Sequence, residues 1–454
     1  IFLIMNPEKD KLLEILQQPG SEKRKSVLKD FSTLFPADIA EIINRLNEKR
    51  KKIIFSCLSP ELASDVLLEL DEKSKFLIIE DVDDKKLISI VEEMESDDAA
   101  DFIADLPKED AKNVLSSIPA EESIEVKKLL EYPEDSAGGI MQTELVSMRE
   151  TSTVREAISR VKSISTEVED IHNVFVVNRN GKLTGILPIN RLLLHPSNTP
   201  VKRLMNKDPI AVKTTVDQEE VALIFKKYDL ISLPVVDIKG KLTGRILVDD
   251  IVDVLEEEAS EDILTIAGTD EEELLFSHTI FKVAGFRLPW LIYSLAGGLI
   301  TGSLIWIFKI TLKEVISLAV FIPVIMGMGG NVGTQSSAIV VRGLATGRIN
   351  ISNFAKLLLK ECGVGLFMGL ICGSIAGLIA RMWHGDPWLG IVVGFSMFLA
   401  IFVAALLGSM IPMIFHHLKI DPAIAAGPIV LAINDIVGLL IFFGLATMLL
   451  GFIH

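Results

Sequence analysis

Cysteine is scarce in this chain: three residues in 454, at positions 57, 362 and 372. They form no Cys-x-x-Cys pair and offer no disulfide framework. All three read as small core residues. No nucleophile–base arrangement and no phosphate-binding loop appears, so the chain is not expected to be an enzyme. A secretory leader is not expected either, since Ile1–Met5 is apolar but far too short for one. Met5 is the expected start, and the polar residues ahead of the first long apolar stretch are expected to stay in the cytoplasm. Basic charge is short in the first part of the chain. Residues 1–284 hold 36 Lys/Arg against 56 Asp/Glu, a balance of −20, whereas 285–454 hold nine against five, or +4. That balance argues against a nucleic-acid partner and suits binding or sensing of cations.

What the second part has in abundance is long apolar runs. Five stretches, roughly 286–308, 315–341, 354–380, 388–415 and 422–450, are each long enough to cross a bilayer at ~20 residues per span. The cell (inner) membrane is the expected location and membrane lipid an expected partner. With the N-terminal part inside, an odd count puts the C-terminus outside. The loop holding Arg342, Arg348, Lys356 and Lys360 is the densest basic cluster and is expected to be cytoplasmic. Lys309 and Lys313 weaken that contrast.

Residues 6–134 read as an all-α superhelical N domain. Helix starts are signalled at Pro36-Ala37-Asp38, Ser59-Pro60-Glu61, Asp83-Asp84, Ser96-Asp97-Asp98, Pro107-Lys108-Glu109 and Pro119-Ala120-Glu121. Proline and acids in a first turn are helix-start chemistry. Most of these acids read as solvated faces and caps. Asp97 and Asp101 differ, because at i,i+4 two like charges share a face and repel. A cation held between them would relieve that.

The next segment repeats itself. Asn180-Gly181-Lys182-Leu183-Thr184-Gly185-Ile186-Leu187 matches Lys239-Gly240-Lys241-Leu242-Thr243-Gly244-Arg245-Ile246, and each copy has an apolar strand before it and a helix after it. This order, taken twice, resembles a tandem pair of CBS domains, at 135–198 and 199–257. The resemblance implies a regulatory α/β module and makes ATP the candidate cofactor at the pair. Behind it comes an acidic run from Asp249 to Asp262, continued by Asp270–Glu273, ahead of the first span. Helical spacing puts Asp250, Asp253 and Glu257 on one face and Glu258, Glu261 and Asp262 on the adjoining one. A helix this acidic repels itself unless hard, oxygen-preferring cations bind it; otherwise it is a solvated face.

One residue sets the function of the apolar part. Asp435 sits in the middle of the last span, where a carboxylate costs at least ~2.5–3.5 kcal/mol on insertion scales. No residue of its own span neutralises it, so the reading is an ion pathway. The glycines and proline of Pro323–Gln335, with Asn331 inside them, and Pro422, Gly427 and Pro428 point two ways. They either expose backbone carbonyls beside water or let helices pack closely. A carboxylate, carbonyl and amide set without Cys or His suits Mg²⁺ or Ca²⁺ rather than zinc or copper. Because Mg²⁺ keeps several waters, one acid per chain on a symmetry axis would hold it as a hydrated ion, which suggests a homodimer. Asp421 reads as an inner-mouth acid, as a helix N-cap before Pro422, or as both. Glu361 is either a buried acid supporting the pore or the partner of a lysine.

With these residues taken together, the chain resembles the MgtE family of magnesium channels. Carrying the match are Pro323–Gln335, Asp421-Pro422-Ala423, Gly427-Pro428 and Asn434–Leu439, with Asp97–Asp101, Asp217–Glu220, Asp229, Asp249–Asp253 and Glu258–Asp262 in the soluble part. The resemblance implies a multidomain membrane protein: N domain, CBS pair, connecting (plug) helix 258–284, and a five-helix transmembrane domain 285–454. It implies Mg²⁺ as both cargo and regulator, with a central site at Asp435. It also implies acidic sensor ligands at Asp97, Asp101, Asp217, Glu219, Asp229, Asp250, Asp253, Glu258, Glu261 and Asp262, plus one further acid at Asp65 or Glu61. Thr334 stands where the family is expected to have Asn. The expected function is Mg²⁺ uptake, closed by cytosolic Mg²⁺ bound among these acids. The alternatives are a transporter of Mn²⁺ or Co²⁺ and a non-conducting, membrane-anchored CBS nucleotide sensor.

Overall fold

The computed structural model describes residues 34–165, 168, 170–269, 280–349 and 354–449. The acids Asp270–Glu273 and the segment before Leu34 lie outside the described residues. Two compact units divide at Leu255/Glu256.

The first unit opens with eight short helices: α1 (Pro36–Asn44), α2 (Glu48–Ser56), α3 (Pro60–Leu68), α4 (Glu72–Ile79), α5 (Asp84–Val91), α6 (Ser96–Asp105), α7 (Lys108–Ser117) and α8 (Ala120–Leu129). All six expected starts are there. Two more, at α2 and α4, are set by Asn47 and Asp71. Their side chains accept from the Arg50 and Ser74 amides at 3.1 and 2.7 Å, the usual N-cap bond. α1, α2, α3 and α5 each pack on the helix two further along, as does α6 on α8. That alternation turns the chain into a superhelix. Its core, with Ile39, Ile43, Phe55, Leu67, Ile90 and Phe102, runs on into the second α/β repeat through Met141, Val221 and Ile246. Cys57 corrects an expectation. It is exposed, because it closes the C-terminus of α2 with its side chain outward; Cys362 and Cys372 are half-buried.

The two α/β repeats follow the same plan, with their hairpins at an offset of 59 residues. In the first, β1 (Ser147–Arg149) runs parallel to β2 (Asn173–Val177), which pairs antiparallel with β3 (Leu183–Pro188). The helices are α9 (Val154–Ile164) and α10 (Ile189–Leu193). In the second, β4 (Val212–Lys213), β5 (Ser232–Val236) and β6 (Leu242–Leu247) repeat the order, with α11 (Gln218–Tyr228) and α12 (Val248–Ala267). Thr184 and Thr243 hydroxyls donate to the Val176 and Val235 carbonyls, each at 3.0 Å. Gly185 and Gly244 are where another chain segment comes closest. A Cβ at Gly244 would lie 2.6 Å from the Gln142 carbonyl, whereas Gly240, in a turn at φ +78°, has nothing within 4 Å. Gly244→Val is therefore expected to destabilise the repeat by ~1–3 kcal/mol through overpacking. Gly240→Ala is expected to cost only ~1 kcal/mol, from the left-handed backbone. Calorimetry of the two variants checks that order.

The second unit holds the apolar helices. They are α13 (Ile280–Ile307), the short α14 (Lys309–Glu314), α15 (Ile322–Ala345), α16 (Phe354–His384), α17 (Pro387–His417), α18 (Pro422–Ile424) and α19 (Val430–Met448). A 3₁₀ turn at Ile316–Phe321 precedes α15, and a wide π turn at Ala425–Ile429 joins α18 to α19. Five helices are long and apolar enough to cross a membrane, and their ends lie within six residues of the expected limits. α15, α17 and α19 pack around Ile325, Met397, Ile401, Phe442 and Phe443. The glycine run of α15 does not break its helix. Pro323 stands in the first turn, where no hydrogen bond is lost. Among the described residues of these helices the break lies at Gly427, with φ −94° and ψ −118° ahead of Pro428.

Candidate cation sites

Asp435 lies at the midpoint of the apolar segment Pro422–Met448, half-buried. Among the described residues it has no hydrogen-bond or ion-pair partner. α15 reaches it through Gly330, where a Cβ would stand 3.8 Å from Asp435 Oδ1. Beside it, Asn434 is buried at 2 % exposure, and neither amide atom has a partner among the described residues. A Cβ at Gly333 would overlap that amide, and one at Gly408 of α17 would come 2.3 Å from the Gly333 carbonyl. Glycines on two helices thus bring the α15 backbone against the Asn434–Asp435 pair. Asn331 is exposed, as is Gln335 one turn on. Two exposed amides at the depth of a membrane require water or another protein surface over them. Glu361, the buried acid of α16, accepts from the Ser336 hydroxyl of α15 at 3.0 Å.

At the other end of this segment, Asp421 caps α18: its Oδ1 accepts from the Ala423 amide at 2.8 Å. Its charge also reaches Asp262 of α12. Burial first, then the Asp421 and Glu258 charges, push the Asp262 carboxyl up to about 6, against a pull downward from Arg342. Glu261 is exposed. The last turn of α12 packs here as well. A Cβ at Gly427 would lie 2.4 Å from the Ile266 carbonyl, and Ile266 packs with Val341, Ala423 and Ala426. The missing side chain at Gly427 is what makes room for it.

A third cluster lies in the first unit, where α6 starts. Glu95, Asp97 and Asp98 bring carboxylate oxygens within 4.8 Å of one another. Asp97 is buried at 6 % exposure, and its Oδ1 accepts from the Asp98 amide at 3.0 Å. The arrangement follows from the helix start, where first-turn residues project side by side around free amides. Asp250 of α12 adds a fourth carboxylate and accepts from the Leu247 amide at 3.0 Å. Burial raises all four carboxyls: Glu95 to about 7, Asp250 to about 7, Asp98 to about 6, and Asp97 well up. Neighbouring acids push the same way. They are Glu144 on Glu95, Asp249 on Asp250, and Asp253 and Asp249 on Asp98, while Arg245 and Lys75 pull partly back. Ser96 donates to Glu144 at 2.7 Å.

The expected acids are therefore distributed unevenly. Asp97 and Asp250 meet, but Asp101 is exposed further along α6, and Asp253 is exposed near the cluster. Asp217 caps α11 by accepting from the Glu219 amide at 2.9 Å, with Glu219 half-buried in the first turn. Asp229 ends the same helix at φ +50°. Twelve residues of helix separate Asp217 from Asp229 by ~18 Å, so one chain cannot close both on one ion. Asp65 and Glu61 are exposed on α3. Sequence reading missed Glu95 and Asp98 as members of the cluster. The signal was there: two acids directly after Ser96 and one directly before it. Glu144, 48 residues from Ser96, gave none.

Comparison with known proteins decides the family. The model of the divalent cation transporter MgtE matches residues 322–445, that of the MgtE intracellular N domain 34–135, and that of the CBS domain 137–197 and 201–257. The magnesium transporter MgtE of Bacillus subtilis (strain 168) is 36% identical over 435 residues, which is 95% of this chain and 96% of that one. The chain belongs to the MgtE family. The MgtE of Thermus thermophilus is 39% identical over 329 residues, 72% of each chain. A crystal structure of the cytosolic domain of the Mg²⁺ channel MgtE in complex with ATP is similar at a TM-score of 0.51 and 30% identity. It covers 54% of this chain and 99% of the other. As an MgtE family member with five apolar helices, the chain is a multi-pass membrane protein with soluble N-terminal domains. The match at 322–445 takes in Asp421 and Asp435, and that at 34–135 takes in the Glu95–Asp98 cluster.

Proposed function

We propose that this chain is a homodimeric Mg²⁺ channel or transporter for uptake across the cell membrane, with its C-terminus outside. The observation that carries this is Asp435, a carboxylate at mid-span with no partner among the described residues, beside a helix that approaches on glycine. Paired across a two-fold axis, two such carboxylates would hold a hydrated Mg²⁺, which gives up its waters reluctantly. The exposed Asn331 and Gln335 then face the second subunit or the ion path. Asp421 lines the inner mouth.

Closure by cytosolic Mg²⁺ is the second half of the reading. Cations held by Asp97 and Asp250, with Glu95 and Asp98, would relieve a cluster whose acids repel one another, and Asp262, Glu258 and Asp421 offer a second place to do so. Asp101, Asp217, Glu219, Asp229, Asp253 and Glu261 supply further negative charge for cations bridging domains or subunits. At low Mg²⁺ these carboxylates repel and the pore opens. The shift is limited by the difference in Mg²⁺ affinity between closed and open states. The CBS pair is the candidate ATP site, on its likeness to the ATP-bound cytosolic domain; calorimetric titration of the full chain with ATP tests it.

The deciding experiment is ion flux into liposomes holding the full chain. Mg²⁺ is expected to enter, with inhibition when Mg²⁺ is also present on the cytosolic side. Preferred entry of Mn²⁺ or Co²⁺ in competition would reassign the cargo. No flux of any of the three would leave a non-conducting sensor.

A further inference from the structure

A groove of about 560 Å³ runs between α16 and α17. It exists because the two helices join face to face on glycine. Cβ atoms at Gly373, Gly377, Gly390 and Gly394 would each lie 2.5–2.8 Å from a carbonyl oxygen of the facing helix. Backbones that close leave no side chains to fill the furrow alongside them. Its walls are apolar, but one cation stands at its end: Arg381, exposed in the last turn of α16 and in no ion pair among the described residues.

The depth of the groove in the membrane can be placed. Trp383, Trp388 and Trp306, three of the four tryptophans, are exposed near the end of α16, the start of α17 and the end of α13. Tryptophan at helix ends marks the headgroup level, so Arg381 stands there too. From Arg381 the groove follows α16 inward to Leu370, and from Pro387 it follows α17 to Phe398. Each run is eleven residues, ~16 Å at 1.5 Å per residue. That is close to half of a ~30 Å hydrocarbon core, the depth of one leaflet.

We propose that this groove binds an anionic phospholipid, with the phosphate on Arg381 and an acyl chain lying along the glycine seam. A guanidinium presents a planar fork that suits phosphate oxygens. A furrow one leaflet deep suits a chain that starts at that phosphate. An aqueous solute would not reach its apolar inner end, and nothing in its polarity suits a hydrated cation. The site is separate from Asp435 and from the acidic clusters, and it does not depend on which ion the protein carries.

Native mass spectrometry of the full chain, released from nanodiscs of phosphatidylglycerol and phosphatidylcholine, tests this. The parent is expected to retain phosphatidylglycerol over phosphatidylcholine. Arg381→Gln is expected to lower that retention about fivefold, the equivalent of ~1 kcal/mol for one basic group near anionic lipid, and Arg381→Lys to restore part of it. Ser374→Phe fills the groove from its exposed wall without touching the glycine contacts, and is expected to remove bound lipid of both kinds. Equal retention of the two lipids by the parent, or unchanged retention in Arg381→Gln, overturns the proposal. So does loss of dimer mass in Ser374→Phe, which would make a second copy of the chain the occupant.

Discussion

Asp435→Asn is expected to cut Mg²⁺ flux at least about hundredfold while the chain still folds and assembles. The substitution keeps shape and removes charge, so packing against Gly330 is preserved. At an effective dielectric of ~20, one unit charge pair 4 Å apart is worth about 4 kcal/mol, and a divalent ion between two carboxylates loses several times that. A loss of ~3 kcal/mol already corresponds to more than a hundredfold. Asp435→Glu restores charge but pushes the carboxylate outward by one methylene, so partial flux is expected. Flux assays on both variants, with size-exclusion profiles as the folding check, separate charge from shape. Parent-like flux in Asp435→Asn would remove the central site.

The second large effect belongs to the cluster at the start of α6. Glu95, Asp98 and Asp250 titrate at about 7, 6 and 7 in the folded chain, and Asp97 is raised as well. Their unfolded values are near 4. Ionising them therefore opposes the folded arrangement. The penalty is absent below pH ~4, grows as pH rises through 6 and 7, and is fully present above that. A tenfold change in the proton affinity of one carboxyl is worth ~1.4 kcal/mol, so several kcal/mol are at stake without a cation. Thermal stability of the N domain in the full chain, measured in chelator, is expected to fall between pH 5 and pH 8. Millimolar Mg²⁺ is expected to flatten that slope, by ~2.7 kcal/mol when it stands at a hundred times its dissociation constant. Asp97→Asn is expected to raise stability at pH 8 in chelator and to shrink the Mg²⁺ effect. A slope that Mg²⁺ leaves unchanged would sink the sensor reading, and so would an Asp97→Asn variant that responds like the parent.

Local chemistry made much of the fold legible. Proline, serine and aspartate caps act within one helical turn, so six starts of the N domain could be read directly from residues such as Ser59-Pro60 and Pro119-Ala120. The starts at Asn47 and Asp71 carry the same chemistry, each side chain accepting from an amide of its own first turn. The repeated Gly-Lys-Leu-Thr-Gly hairpin is local too, and its two copies fold alike because each needs the same left-handed glycine and the same threonine-to-carbonyl bond. Apolar length set the five spans, and Asp435 stood out because a charge in hydrocarbon is costly whatever surrounds it.

Residue order alone was thus enough for most of the elements, the membrane part, the family resemblance and the one acid that needs an explanation. Which acids meet was settled only by folding. Asp97 and Asp101 share a helix, but only Asp97 is buried against Glu95, Asp98 and Asp250. Asp262 faces Asp421 across more than 150 residues of chain. Packing in three dimensions also settled what the glycines do: in α15 they permit close approach within an unbroken helix, whereas Gly427 breaks the backbone. The reason is physical. Propensity and capping act over a few residues, whereas burial, charge repulsion and helix-to-helix approach depend on segments that the chain brings together only when it folds.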